Sequence, residues 1–226
     1  MKGFFKTGLI LMTYCAVAGL GLSLVYSITK DRITSAESKN KTQAVEHVLK
    51  DENGSYLVPI SEIENTVFNT KSTDEILYET DKGKVLSPVY VFEVSNQKIY
   101  VVTGSSIGFG GPVVTVASFV EDNKGISLHS IKVIEYSQET PGLGAKIADS
   151  SIQKRFYPLD SAVLENGVNV DKDVGAPDLP PDEAKKNGIV KVSDVMTGAT
   201  ITPRAVVNSI NTMYEYLVKR MGGSEQ

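Results

Sequence analysis

The spacing of apolar and polar positions divides this chain into a membrane-like helix, a run of strands and a final amphipathic helix. Gly8 to Ile28 carries no charged residue. At about 21 residues it matches the ~20 that cross a bilayer as a helix. Lys30 to Lys50 is polar with sparse apolar positions, and reads as a helix joining the span to a domain. Asn53-Gly54 marks a turn. Tyr56 to Ile60 alternates weakly as a strand, and Ser61 to Asn69 reads as a short helix. Period-two alternation predicts strands over Ile76–Glu79, Val89–Val94 and Lys98–Thr103, with a turn at Lys82-Gly83-Lys84. Gly104 to Pro112 is a glycine-rich loop: either a flexible hairpin connection or a loop lining a site. Val113–Val120 and Ile126–Tyr136 read as paired strands around the turn Asn123-Lys124-Gly125.

Beyond the strands, Lys146 to Tyr157 reads as a helix. Gly167 to Lys186, rich in Asp, Pro and Lys (Pro177, Pro180 and Pro181 among them), reads as an exposed loop without a core. Val190 to Val192 is a last short strand. Arg204 to Met221 then places Val206, Val207, Ile210, Met213, Tyr214, Leu217 and Val218 at helical spacing. Thr202 is placed as its N-cap and Pro203 at its first position, where a missing N–H costs nothing. Gly222 and Gly223 end it.

Composition narrows the chemistry. The chain has 226 residues, 41% hydrophobic and 22% charged, with a net charge of −4, which fits one globular domain plus a small addition. It has no basic block, so nucleic acid is not an expected partner. Cys15 is the only cysteine and lies in the apolar run. Disulfides within the chain, cysteine-ligated zinc and iron–sulfur clusters are therefore excluded. His47 and His129 are far apart and show no metal-ligand spacing, so no metal site is expected. The apolar run is longer than the roughly 7–15 residues of a signal-peptide core, and no Ala-x-Ala site closes it. An uncleaved anchor is the reading preferred over a cleaved signal.

The candidate chemistry is concentrated in Asp194-Val195-Met196-Thr197-Gly198-Ala199-Thr200, just ahead of the final helix. Thr200 then sits before a helix N-terminus, where free N–H groups and the helix dipole favour a phosphate. From pattern alone an ordinary turn into a capped helix is the preferred reading. A second cluster, Glu139-Thr140-Pro141-Gly142-Leu143-Gly144, reads as a turn with unusual backbone angles. No base-paired nucleophile argues for a hydrolase.

The Asp-x-x-Thr-Gly-Ala-Thr stretch resembles the flavinylation motif of the FMN-binding domain family. Its continuation through Arg204-Ala205-Val206-Val207-Asn208, with Pro203 where Ser is expected, is similar to the G subunit of Rnf electron-transport complexes. The related C subunit of the sodium-pumping NADH:quinone oxidoreductase shares the core motif. Glu-Thr-Pro-Gly-Leu-Gly resembles a second motif of both subunits. The resemblance implies an α+β domain with an antiparallel sheet and packed helices, preceded by one transmembrane helix. It implies covalent FMN on Thr200 through a phosphoester, with Asp194, Thr197, Gly198, Ala199, Glu139, Thr140, Gly142, Leu143 and Gly144 around it. Glu139 either lies beside the flavin ring or hydrogen-bonds its loop, and Arg204 either pairs with the phosphate or is solvated.

The implied organisation is a cytoplasmic stub at 1–7, a single transmembrane helix at 8–28, a helical linker at 29–50 and an extracytoplasmic FMN-binding domain at 51–226. The implied function is an electron-carrier subunit of a membrane-bound, ion-translocating ferredoxin:NAD oxidoreductase, with no acid–base catalysis on this chain. Other membrane subunits of the complex are the expected partners, with a flavin transferase for maturation. The alternatives are the C-type quinone oxidoreductase subunit and a membrane-anchored binding module without cofactor.

Overall fold

A computed structural model describes residues 2–51, 53–70, 75–94, 97–175 and 178–222. Helix α1 (Lys2–Val48) begins the chain. Its segment Gly3–Lys30 is long and apolar enough to cross a membrane, and none of it is buried within the protein. The chain divides into two compact units, 1–42 and 43–226. The first is helical throughout its described residues.

The second unit contains the end of α1 and a helix α2 (Ile60–Asn69). A five-stranded antiparallel sheet follows in simple sequence order: β1 (Ile76–Glu79), β2 (Lys84–Val94), β3 (Gln97–Ile107), β4 (Pro112–Asp122) and β5 (Gly125–Glu135). After it come a 3-10 turn (Gly144–Ala148) and the short helices α3 (Ser150–Gln153), α4 (Ser161–Glu165), α5 (Asp171–Val174) and α6 (Pro181–Lys186). Two-residue strands β6 (Asn169–Val170) and β7 (Ile189–Val190) pair in parallel. The last element is α7 (Ile201–Gly222). The expected α+β class, antiparallel sheet and N-terminal apolar helix are all present.

Strand alternation assigns the two faces of the sheet. On β4, Val113, Ala117 and Phe119 point to one side and Val116 to the other. On β5 the inward positions change from even (Ile126, Leu128) to odd (Ile131, Val133). A bulge explains the change: Phe119 pairs with Leu128 but Ser118 pairs with Ser130, leaving His129 as the extra residue. The first face is covered by α7, with Val206, Ile210, Met213 and Leu217 fully enclosed. The second is covered by residues 43–49 and α2, which bring Ala44, Val45, Val48, Leu49 and Ile63 against Phe92, Ile99 and Val101. Ser118 on that face donates its hydroxyl to the Val48 carbonyl at 2.6 Å, satisfying one of the acceptors left over at a helix C-terminus.

His47 carries a pH dependence. Burial first, then the charges of Lys132 and Lys50, push its pKa below the ordinary 6.5. The folded state thus favours neutral imidazole, and the unfolded chain binds more protons below that value. Stability is complete above about pH 6.5 and falls as the pH drops below it. Denaturant midpoints measured between about pH 7.5 and 5.5 should decline for the native chain, and His47→Gln should flatten the decline.

Several segments differ from the sequence reading. Residues 56–60 form no strand: Tyr56 makes a single bridge to Lys50 and Ile60 opens α2. Strand β2 begins at Lys84, five residues before Val89. Gly104 to Ile107 belong to β3 and not to a loop. Gly104 is used there for packing, because a Cβ would come within 3.0 Å of the Met213 side chain on α7. The expected helix 146–157 is broken at Asp149, whose backbone is extended (ψ 125°). The buried Gln153 side chain holds the break, donating to the carbonyls of Ile147 (2.9 Å) and Ala148 (3.1 Å). The stretch 167–186 is not a coreless exposed loop: Val168, Val170, Asp171 and Ala184 are all buried. Pro177 and Gly223 lie outside the described residues.

Candidate functional site

The chain leaves β7 and turns through Val192–Thr200. Val192 carbonyl accepts the N–H groups of Val195 (3.2 Å) and Met196 (2.8 Å), and Met196 carbonyl accepts that of Ala199 (3.1 Å). Met196 is fully buried and anchors the turn in the core. Gly198 adopts φ +86°, a left-handed conformation that side chains resist. Helix α7 then starts at Ile201, and the Thr200 carbonyl accepts the Arg204 N–H at 3.3 Å.

Thr200, not Thr202, is therefore the N-cap. Pro203 falls two positions inside the helix start, where its missing N–H is still one of the unpaired first four. The Pro-at-first-position rule misplaced the boundary because Ile201 and Thr202 are already helical. Thr202 faces inward, is buried, and donates its hydroxyl to Glu139 Oε2 at 2.5 Å.

Glu139 holds the site together. It is 5% exposed. Its Oε1 accepts the Phe109 N–H at 2.8 Å, while Oε2 takes Thr202. A buried carboxylate is tolerable only with such donors. One side chain thus ties the glycine loop, its own turn and the start of α7. Its hydrogen bonds go to the glycine loop and to α7. Two glycines exist to make room for it. A Cβ on Gly108 would lie 2.2 Å from Oε1, and one on Gly144 would lie 2.3 Å from Oε2. In the same loop, a Cβ on Gly110 would meet the Gln138 carbonyl oxygen at 1.8 Å.

These three segments enclose a cleft of about 300 Å³ lined by Phe109, Glu139, Thr140, Leu143, Gly144 and residues 198–202. That volume is at the small end of the roughly 300–1,000 Å³ range of ligand sites. Phe109 (69%), Leu143 (43%) and Ile201 (39%) are exposed large apolar side chains on its walls. Thr200 is half-buried and faces a space. The first turn of α7 itself contains no acidic residue; the carboxyl nearest to it is that of Glu139, held on Thr202.

Seven of the expected residues meet at this cleft: Glu139, Thr140, Leu143, Gly144, Gly198, Ala199 and Thr200. Three others do not line it. Asp194 is paired with Arg155 Nη1 at 2.5 Å. Burial acts to raise its carboxyl, but the hydrogen bond and charge of Arg155 outweigh that and hold it below the usual carboxylate range. Thr197 donates its hydroxyl to the Ser193 carbonyl at 3.2 Å. Gly142 supplies a φ of +76° in open space. Arg204 is neither at the cleft nor merely solvated: it makes a two-pronged pair with Asp173, Nε to Oδ2 at 2.7 Å and Nη2 to Oδ1. The Arg204 hydrogen bond keeps the Asp173 carboxyl low. Phe109, Ile201 and Thr202 were not foreseen. An isolated phenylalanine among glycines was the available signal for the first.

The residues present suit a phosphate-bearing planar group. A hydroxyl sits at the N-terminus of a 22-residue helix, with apolar walls beside it and small residues before it. The family model for the FMN-binding domain matches residues 108–215, from the glycine loop into α7. Among solved structures, a crystal structure assigned as an RnfG subunit of an electron transport complex from Thermotoga maritima is 44% identical. It covers 80% of this chain and 97% of its own, with a TM-score of 0.67. The chain belongs to the RnfG family. The G subunit of the ion-translocating oxidoreductase complex of Vibrio vulnificus is 29% identical over 94% of this chain and 88% of its own. The G subunit of the proton-translocating ferredoxin:NAD(+) oxidoreductase complex of Clostridium ljungdahlii is 27% identical over 72% and 76%. The FMN-binding domain of this RnfG-family chain includes all three segments that wall the cleft.

Proposed function

We propose that this chain is the covalent-FMN electron carrier of a membrane-bound, ion-translocating ferredoxin:NAD oxidoreductase of the Rnf type. The observation that carries the reading is the half-buried Thr200 hydroxyl, at the N-terminus of α7 and on the wall of an apolar cleft, within the FMN-binding domain. Thr200 Oγ1 would hold the phosphate as an ester. The first-turn N–H groups of α7 and its dipole would stabilise the phosphate charge. Gly198 and Ala199 would leave room for its approach. Phe109, Leu143 and Ile201 would offer apolar contact to the ring, and Glu139 would keep the three segments in register.

Bound FMN supplies the electron transfer, so the protein's part is position and environment and not acid–base chemistry. Helix α1 anchors the chain in the membrane as a single span over 8–28, with residues 1–7 in the cytoplasm and the domain outside it. Residues 29–42 join the span to the domain, to which residues 43–50 already belong. Outside the cytoplasm an ester keeps the flavin from being lost to the medium. The partners are the other membrane subunits of the complex and, during maturation, a flavin transferase.

Chain co-produced with its flavin transferase should purify yellow and fluoresce under ultraviolet light on a denaturing gel. Yellow protein whose gel band is dark would mean non-covalent flavin; a colourless protein would overturn the reading entirely.

A further inference from the structure

The segment between β6 and α6 contacts both sides of the loop that carries Thr200. Asp171, at the start of α5, is completely buried. Its Oδ2 accepts the Ser193 N–H at 3.1 Å and also the Ser193 hydroxyl. Its Oδ1 is buried and without a hydrogen-bond partner among the described residues. A half-satisfied buried carboxyl is costly for the fold alone, and such local exceptions are expected near functional sites. Two residues on, Asp173 holds Arg204. Ser193 precedes Asp194–Thr200 and Arg204 follows it. A four-residue helix therefore grips both ends of the stretch that presents the Thr200 hydroxyl, while buried Met196 pins its middle.

We infer that Asp171 and Asp173 are positioning residues that set the Thr200 loop for attachment of its flavin. The inference rests on the reading that Thr200 is the attachment residue. In the attachment, Thr200 Oγ1 bonds to the phosphorus of a flavin-bearing phosphoanhydride and breaks its P–O–P bond. The hydroxyl proton passes to a base of the transferase, and the remaining nucleotide leaves with its phosphate. Only a loop held in one conformation offers that oxygen in line.

The test is the rate at which the full-length chain acquires flavin on the Thr200 peptide when supplied with its transferase. Asp173→Ala should slow incorporation by up to about a hundredfold, the loss that a misplacement of about 1 Å at a reacting atom brings. Its thermal midpoint should change little, because a partly exposed ion pair contributes little to stability. The swapped pair Asp173→Arg with Arg204→Asp should restore the rate. Asp171→Ala should also slow incorporation, and Asp171→Asn, which keeps an acceptor for Ser193, should retain most of it. Native rates in Asp173→Ala and Asp171→Ala, or no recovery in the swapped pair, overturn the inference. A native chain that takes no flavin on Thr200 overturns the underlying reading, and the inference with it.

Discussion

Thr200→Ala should abolish covalent flavin while leaving the domain folded. The substitution removes the only atom that the ester can use. It leaves the Arg204 N–H bond to the residue-200 carbonyl intact, since that bond is main chain. The full loss of a threonine N-cap bond costs about 1 kcal/mol, which bounds the effect of removing this side chain and is a small part of the stability of a domain this size. Thr200→Ser keeps a hydroxyl at the same place and should keep covalent flavin. The check is gel fluorescence together with the flavin-to-protein ratio after denaturation and desalting. Alanine protein that still carries its flavin through denaturation would refute the assignment of Thr200.

Gly144→Ala should damage both the site and the fold. The new methyl would lie 2.3 Å from Glu139 Oε2, 2.6 Å from Thr202 Oγ1 and 3.2 Å from Glu139 Cβ. Glu139 cannot retreat without giving up Thr202 or the Phe109 N–H. Overpacking costs about 1–3 kcal/mol, and a hydrogen bond to a charged group contributes about 1.5–3 kcal/mol. The combined loss is on the order of 3 kcal/mol, which lowers the thermal midpoint by roughly 6–12 °C. Flavin incorporation should fall with it, because the clamped loops wall the cleft. Gly142→Ala is the control: it meets nothing within 4 Å and adds only the strain of a positive φ. That strain is about 1–2 kcal/mol, so Gly142→Ala should lose less stability and keep its flavin. Equal effects of the two substitutions would show that the clamp around Glu139 is not what Gly144 protects.

Much of this site was legible in the sequence because its signals are local. Small residues followed by a periodic apolar helix place Thr200 at a helix start whatever the rest of the chain does. The boundary itself was off by two residues, since Pro203 fits any of the first positions of a helix. Alternation gave the strands of the sheet but not their lengths, and its weak form at 56–60 belongs to no strand. The bulge at His129 and the early start of β2 depend on pairing partners distant in sequence. Glu139 shows the limit most clearly. Its hydrogen bonds go to Phe109 and Thr202, 30 and 63 residues away, and no window of sequence contains both.

The stretch 167–186 was misread for a related reason. Asp and Pro composition signals solvent exposure on average, yet Asp171 is buried because Ser193 meets it. A charge in the sequence does not announce its partner. The same holds for Asp194, which belongs to the motif by position but pairs with Arg155 away from the cleft. The residues of one sequence motif thus divide between those that wall the cleft and those that brace the loop.

Esterification of FMN to one hydroxyl is tested most directly by peptide mass spectrometry of chain matured with its flavin transferase. The peptide containing Thr200 should carry the mass of FMN less one water, with fragmentation placing the addition on Thr200. A fully unmodified Thr200 peptide, or the same addition on any other residue, would contradict it.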